Sequence, residues 1–336
     1  MNNRAVSKIA LAIITFIAVA AVLLVVGPQR IALAQDKTGD EALATQLEKH
    51  SESGFHNLTA FTLQDGKATF AGLGSDEHTE VEIGSVTKMF TGELAHQLVE
   101  EGKLRTDSTV GEVLDVGDAP VADVTVRELL DHTSGLPRLA STNLLSSLVS
   151  GVTGSNPYEG ETVEDIMAAA TKAELKNRGE ESYSNLGYGL LGHVVETVAG
   201  QPYEQMLKER IFKPAGMTET YLMTPGSVPD DAPQGLTNTG RHAEPWEEDG
   251  SAPAGAIRST ASDMAKFAEW FIDNGDTEYG WVPNEDGPGF WHNGSTYGYS
   301  TMLIIDPDTK RATFANNDSP AGTKDLAQAL FNELAS

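Results

Sequence analysis

A serine and a lysine three residues apart, Ser85 and Lys88, head an apolar run (Met89, Phe90, Leu94, Ala95, Leu98). Its spacing predicts a helix beginning near Ser85 and stopped by Gly102. On such a helix the two side chains share a face one turn apart. The amine then reaches the hydroxyl, and a serine hydroxyl needs a neighbouring base to become a nucleophile. The amide groups at the start of the helix suit a developing oxyanion. No other serine in the chain has a lysine three residues on. Taken alone, the spacing more often marks a capping serine and a solvated lysine, so its weight comes from residues further along the chain.

Two more groups carry chemistry. Tyr183-Ser184-Asn185 lies between a turn (Gly179-Glu180-Glu181) and a helical stretch from Leu186. A tyrosine hydroxyl beside a cation serves as general base or acid, and Asn185 offers a donor and an acceptor to an amide-like substrate. A capping serine with a packed tyrosine is the ordinary reading. Later, Trp291-His292-Asn293-Gly294-Ser295 opens a strand pair. A strand edge accepts a substrate by backbone pairing, Gly294 permits close approach, and the Ser295 N–H is a candidate second oxyanion donor beside that of Ser85. His292 is a candidate partner to the tyrosine or the leaving group.

The elements that must position these groups are strands near both ends and helices between. Residues 55–63 and 67–72 read as a hairpin around Asp65-Gly66. Residues 289–292, 298–305 and 311–316 read as strands. Helical patterns cover 41–50, 124–130 (Thr125 and Glu128 at capping-box spacing), 163–175, 186–198, 203–212, 259–274 (Ser262 as cap) and 325–334. Residues 36–40 read as a polar leader and 141–155 as a substrate-facing or mobile loop. Residues 226–255, rich in Gly, Pro, Asp and Glu, read as an acidic surface excursion rather than a metal site. The expected fold is α+β: an antiparallel sheet built from both chain ends, flanked by helices, with an inserted all-helical lobe. Its sheet lobe is placed at about 41–110 and 255–336 and its helical lobe at about 111–254.

Composition narrows the function classes. The 336 residues suffice for a large core. The absence of cysteine excludes disulfides, thiolate metal sites and a cysteine nucleophile. The net charge of −26 repels nucleic acid and anionic membrane. G-x-x-x-x-G-K is absent, and the G-x-G-x-x-G at 187–192 falls inside the helical stretch 186–198 rather than between a strand and a helix, so no nucleotide-binding glycine loop is read; no metal or cofactor is expected. Arg4 and Lys8 precede an uncharged apolar run over 9–26, followed by Ala32-Leu33-Ala34. This pattern predicts an export signal cut after Ala34, or an uncleaved anchor favoured by the length of the run and by Arg30. Either places residues 35–336 outside the cytoplasm, and any membrane contact is through this segment alone.

Ser85-Val86-Thr87-Lys88, Tyr183-Ser184-Asn185 and His292-Asn293-Gly294, in this order, resemble the three active-site motifs of the serine penicillin-recognising enzymes. The Y-x-N motif is similar to the class C β-lactamase branch, with its D,D-carboxypeptidases, D-aminopeptidases and esterases. VTVRELLDHTSGLP (124–137), IFKPAGMT (211–218) and STASDMAKF (259–267) are also similar to it. The resemblance implies an active site between sheet and helical lobe, and acylation of Ser85 followed by acyl transfer to water. It implies that Lys88 and Tyr183 share the proton work, that Asn185 orients the substrate amide, and that His292 to Ser295 form the strand-side wall. The lactamase version of the third motif has lysine where this chain has His292. A group of ordinary pKa about 6.5 binds a carboxylate weakly at neutral pH. The expectation is therefore a D,D-carboxypeptidase-like or related amide or ester hydrolase acting on a small-molecule or peptide substrate. A β-lactamase or carboxylesterase is the alternative, and a silent cell-wall- or partner-binding relative the alternative of another class. No G-x-S-x-G elbow of the α/β-hydrolase type is present.

Overall fold

The computed structural model describes residues 13–16, 27–140, 150–151 and 153–334. Most of the expected export segment, and most of the expected loop at 141–155, lie outside them. No helix among the described residues is long and apolar enough to cross a membrane.

Ten strands are present among the described residues: β1 (Lys37–Gly39), β2 (Leu58–Gln64), β3 (Lys67–Leu73), β4 (Val81–Glu82), β5 (Tyr221–Leu222), β6 (Ile257–Ser259), β7 (Val282–Pro283), β8 (Phe290–Ser295), β9 (Ser300–Asp306) and β10 (Arg311–Asn317). Seven form one antiparallel sheet in the order β1-β3-β2-β10-β9-β8-β7. The two ends of the chain meet where β2 pairs with β10, Phe61 opposite Phe314. Asp65 and Gly66 take positive φ (52° and 71°), the hairpin conformation expected from Asp-Gly. The polar leader is in part the edge strand β1. A second small sheet, β4-β6-β5, borders the first, and its β5 comes from within the stretch expected to be helical.

The main helices are α1 (Glu41–Lys49), α2 (Thr87–Glu100), α3 (Val126–Leu130), α4 (Val163–Lys172), α5 (Asn185–Ala199), α6 (Tyr203–Leu207), α7 (Ala252–Gly255), α8 (Ala261–Asn274) and α9 (Lys324–Glu333). Period-two alternation of β9 decides the layering. Met302 and Ile304 face Leu43, Leu47, Leu330 and Phe331 of the terminal helices. Leu303 and Ile305 face the larger core with Met89, Phe90 and Phe267. The Phe90 and Phe267 rings stack at 4.0 Å, fastening α2 to α8. Thr125 and Glu128 form the expected capping box of α3. For α8 the cap is Thr260, which accepts from the Asp263 N–H. Ser262 instead donates its backbone N–H to the Glu77 carbonyl. The first turns of α5 are buried on every side, from Leu186 to Val195, as a helix at the centre of a lobe must be.

Candidate active site

The polypeptide enters α2 through a 3-10 turn, Gly84–Val86, with Ser85 half-buried at its centre. Gly84 has φ +50°, and a Cβ there would stand 2.7 Å from the Ser295 nitrogen. A Cβ on Gly294 would stand 1.8 Å from the Ile83 carbonyl oxygen. The two glycines therefore let β8 lie directly against the Ser85 turn, and Thr301 secures the contact by donating to Ile83 O at 3.0 Å. Gly294 serves the approach of the protein's own backbone. Ser85, Asn293 and Ser295 line one cavity of about 420 Å³, also lined by Gly84, Tyr183 and Asn185.

Lys88 is fully buried. Its Nζ donates to Ser85 Oγ (3.1 Å), to Asn185 Oδ1 (2.9 Å) and to the Ala254 carbonyl (2.7 Å), which uses all three ammonium donors. The Ala254 contact exists because α7 presses on α5. A Cβ on Gly192 would lie 2.1 Å from Pro253 Cγ. Burial pushes the Lys88 pKa down, opposed by the neighbouring Tyr183 and Glu248. Loss of one proton frees a lone pair directed at the serine.

Tyr183 donates its hydroxyl to Ser85 Oγ at 2.7 Å, and the Lys88 ammonium lies 4.8 Å from its ring centre. Ser184, between Tyr183 and Asn185, is the N-cap of α5: its Oγ accepts from Gly187 N at 2.9 Å and donates to the Pro137 carbonyl at 2.7 Å. Capping and chemistry are thus divided among three adjacent residues, with Tyr183 and Asn185 turned to the cavity. The structure brings Ser85, Lys88, Tyr183 and Asn185 together from segments about a hundred positions apart.

His292 is buried on the opposite face of β8 from Asn293 and Ser295 and is not part of the cavity lining. Its Nδ1 lies 2.7 Å from the Asn293 carbonyl. Burial, with Lys88 nearby, drives its pKa down to about 3, so it is neutral at pH 7.

Several residues in or behind the cavity wall carried no signal of their own in the sequence. His132, at φ +57°, lies with its ring 4.4 Å from that of Tyr183 and accepts the Ser184 N–H through Nδ1 at 3.1 Å. Burial and the nearby Lys88 lower its pKa to about 3. Only its place in the 124–137 stretch pointed to it. Tyr158 lines the cavity and accepts from Asn185 Nδ2 at 3.1 Å. Arg138 lies against the Tyr183 ring at 4.9 Å.

The expected surface excursion at 226–255 is instead largely structural. Glu244 accepts the Asn156 N–H and Glu247 those of Gly226 and Val228. Trp246 lines the cavity between Tyr158 and Tyr297, with ring centres 5.3 and 5.1 Å away. Glu248 is buried at 1 % exposure beneath the cavity. Its chain turns inward because the Glu248 N–H donates to the Met223 carbonyl, beside β5.

Comparison with known proteins bears on the family and the fold. The chain is 26% identical to penicillin-binding protein 4 of Amycolatopsis lactamdurans over 83% of its length and 82% of that protein's. It is 32% identical to a putative D-alanyl-D-alanine carboxypeptidase of Escherichia coli O157:H7, over 42% of this chain and 33% of the relative, so it spans only a third of that longer protein. Among solved structures it superposes on a penicillin-binding protein from Bacillus halodurans with a TM-score of 0.71, at 24% identity and over 87% and 99% of the two chains. A β-lactamase/D-alanine carboxypeptidase from Pseudomonas syringae superposes with a TM-score of 0.72 at 17% identity, over 87% and 97%. Both show the β-lactamase/transpeptidase fold. Residues 41–330 match the Beta-lactamase family model, and the chain is therefore a member of that family and a serine hydrolase.

Proposed function

We propose that this chain is an exported hydrolase that removes the terminal residue from D-alanyl peptides, or cleaves related amides and esters, through an acyl-enzyme on Ser85. The observation that carries the reading is the convergence of Lys88 and Tyr183 on one serine oxygen, at 3.1 and 2.7 Å. Ser85 Oγ attacks the substrate carbonyl, and its proton passes to the Lys88–Tyr183 pair. The same pair returns it to the leaving nitrogen or oxygen as the carbonyl re-forms. Water then repeats the sequence and frees the acid. The pair acts as a unit, in which the kinetically relevant base is a property of both groups. The Ser85 and Ser295 amides, brought together by Gly84 and Gly294, supply the oxyanion donors. Asn185 holds the substrate amide while fixing Lys88.

The neutral, buried His292 leaves this wall without the lysine cation of the lactamase motif that would hold a carboxylate, which weighs against lactamase work. The names of the Amycolatopsis and Escherichia relatives point the same way. The test is release of D-alanine from N,N′-diacetyl-L-lysyl-D-alanyl-D-alanine, run beside a chromogenic cephalosporin and p-nitrophenyl acetate. Peptide turnover that Ser85→Ala abolishes supports the proposal. Turnover of the cephalosporin or the ester alone replaces it with lactamase or esterase. Export is supported by the charged, apolar and small-residue pattern of residues 1–34. Cell fractionation with N-terminal sequencing checks it, and full-length protein confined to the cytoplasm would contradict it.

A further inference from the structure

One end of the cavity holds a carboxyl without a hydrogen-bond partner. Glu248 is 1 % exposed, and among the described residues neither of its carboxyl oxygens has a hydrogen-bond partner. A buried polar group without a partner is costly and rare in a folded protein. The natural cation, Lys88, cannot serve it, since its three donors already go to Ser85, Asn185 and Ala254. No ion pair among the described residues involves Glu248 or its cavity neighbour Glu161. Glu161 is half-buried and accepts from Ser251 Oγ. The Tyr158 hydroxyl, held by Asn185, completes the group. Room for the Glu248 carboxyl is made by Gly255, where a Cβ would approach Oε1 to 3.0 Å. Burial raises both acids' pKa values, and each feels the other or a further acid nearby.

We infer that Glu248, with Glu161 and Tyr158, forms a subsite for a substrate's primary ammonium group. The inference rests on the proposed reading of Ser85 as nucleophile, and within that reading it favours the related amides and esters over N-acylated D-alanyl peptides. Tyr183 must face the leaving atom to deliver its proton, and it stands beside His132 and Arg138. The opposite end, from Asn185 through Tyr158 to Glu161 and Glu248, is left for the acyl portion. A free α-amino group on the acyl residue would enter the acidic end, so the favoured acyl donors are amides or esters of unblocked small amino acids.

The experiment compares kcat/KM near pH 7 for D-alanine p-nitroanilide and N-acetyl-D-alanine p-nitroanilide, in wild type and in Glu248→Gln. A hydrogen-bonded charged contact contributes about tenfold or more to such a ratio. The wild-type ratio is expected to exceed about ten in favour of the free amine, and to collapse toward one in Glu248→Gln. A wild-type ratio of ten or less overturns the inference, as does a high ratio that the substitution leaves intact. If Glu248→Gln does not fold, Gly255→Ala, which crowds the same carboxyl, is read in the same way. Failure of the underlying reading is seen separately, as wild-type protein that a fluorophosphonate does not label at Ser85.

Discussion

Ser85 Oγ accepts two hydrogen bonds while Lys88 Nζ donates three, so the resting site is fully wired before substrate arrives. Tyr183→Phe keeps the ring against His132 but removes the hydroxyl. Acylation is expected to slow by about 10²–10⁴, the usual cost of a lost general acid–base, with the melting temperature little changed. Stopped-flow labelling with an activated ester measures it. The two histidines behind the site make a second prediction. His132 and His292 have folded pKa values near 3, against an ordinary 6.5. Both stay neutral in the folded state at pH 5, while the unfolded chain binds protons there. Their contribution to stability is whole above pH 6.5 and is lost as pH falls from 6.5 toward 3. The raised Glu248 acts in the opposite sense. Ring proton shifts of both histidines should be flat between pH 7 and 5 by NMR, and a midpoint near 6 for either would contradict the burial argument.

At the scale of elements, the site depends on two close approaches. Pro253 of α7 sits in the groove left by Gly192 on α5, and that contact delivers the Ala254 carbonyl to Lys88. Gly192→Ala is expected to cost about 1–3 kcal/mol through overpacking and to reduce acylation as α7 shifts. Gly189→Ala, whose Cβ would meet Gly250 O at a milder 3.2 Å, should do less of both. Parallel denaturation and acylation assays on the two variants check the order. Which elements were legible in the sequence depends on the range of the interactions that make them. The turn from Ser85 to Lys88, the capping box of α3 and the Asp65-Gly66 hairpin are set within a few residues, and spacing alone displayed them. The wall over 244–255 is set by contacts across the fold: Glu248 with Met223, Glu247 with Gly226 and Val228, Pro253 with Gly192. Its Gly, Pro and acid content is also that of a solvated loop, so composition could not distinguish them. His292 was expected in the strand-side wall, but strand register against β9 turns its side chain away from the cavity.

For the whole molecule, both chain ends supply strands to one sheet, with β2 and β10 as its central pair, and the terminal helices α1 and α9 close one face over Met302, Ile304 and Ala315. Truncation after Thr323 removes Leu326, Leu330 and Phe331 from that face. The shortened chain is expected to be recovered insoluble or without a cooperative thermal transition. A soluble, active product would show that the sheet lobe does not need its last helix.

Every step of the proposed chemistry turns on Ser85 as the nucleophile. The most direct test is intact mass of residues 35–336 after exposure to benzylpenicillin and, separately, to a fluorophosphonate, with peptide mapping and Ser85→Ala in parallel. The fluorophosphonate is expected to leave one adduct per chain, mapped to Ser85 and absent from Ser85→Ala. A penicillin adduct on the same residue would add a slow-deacylating, peptidase-like character. A fluorophosphonate adduct that persists in Ser85→Ala, or an unlabelled wild type, would contradict the assignment.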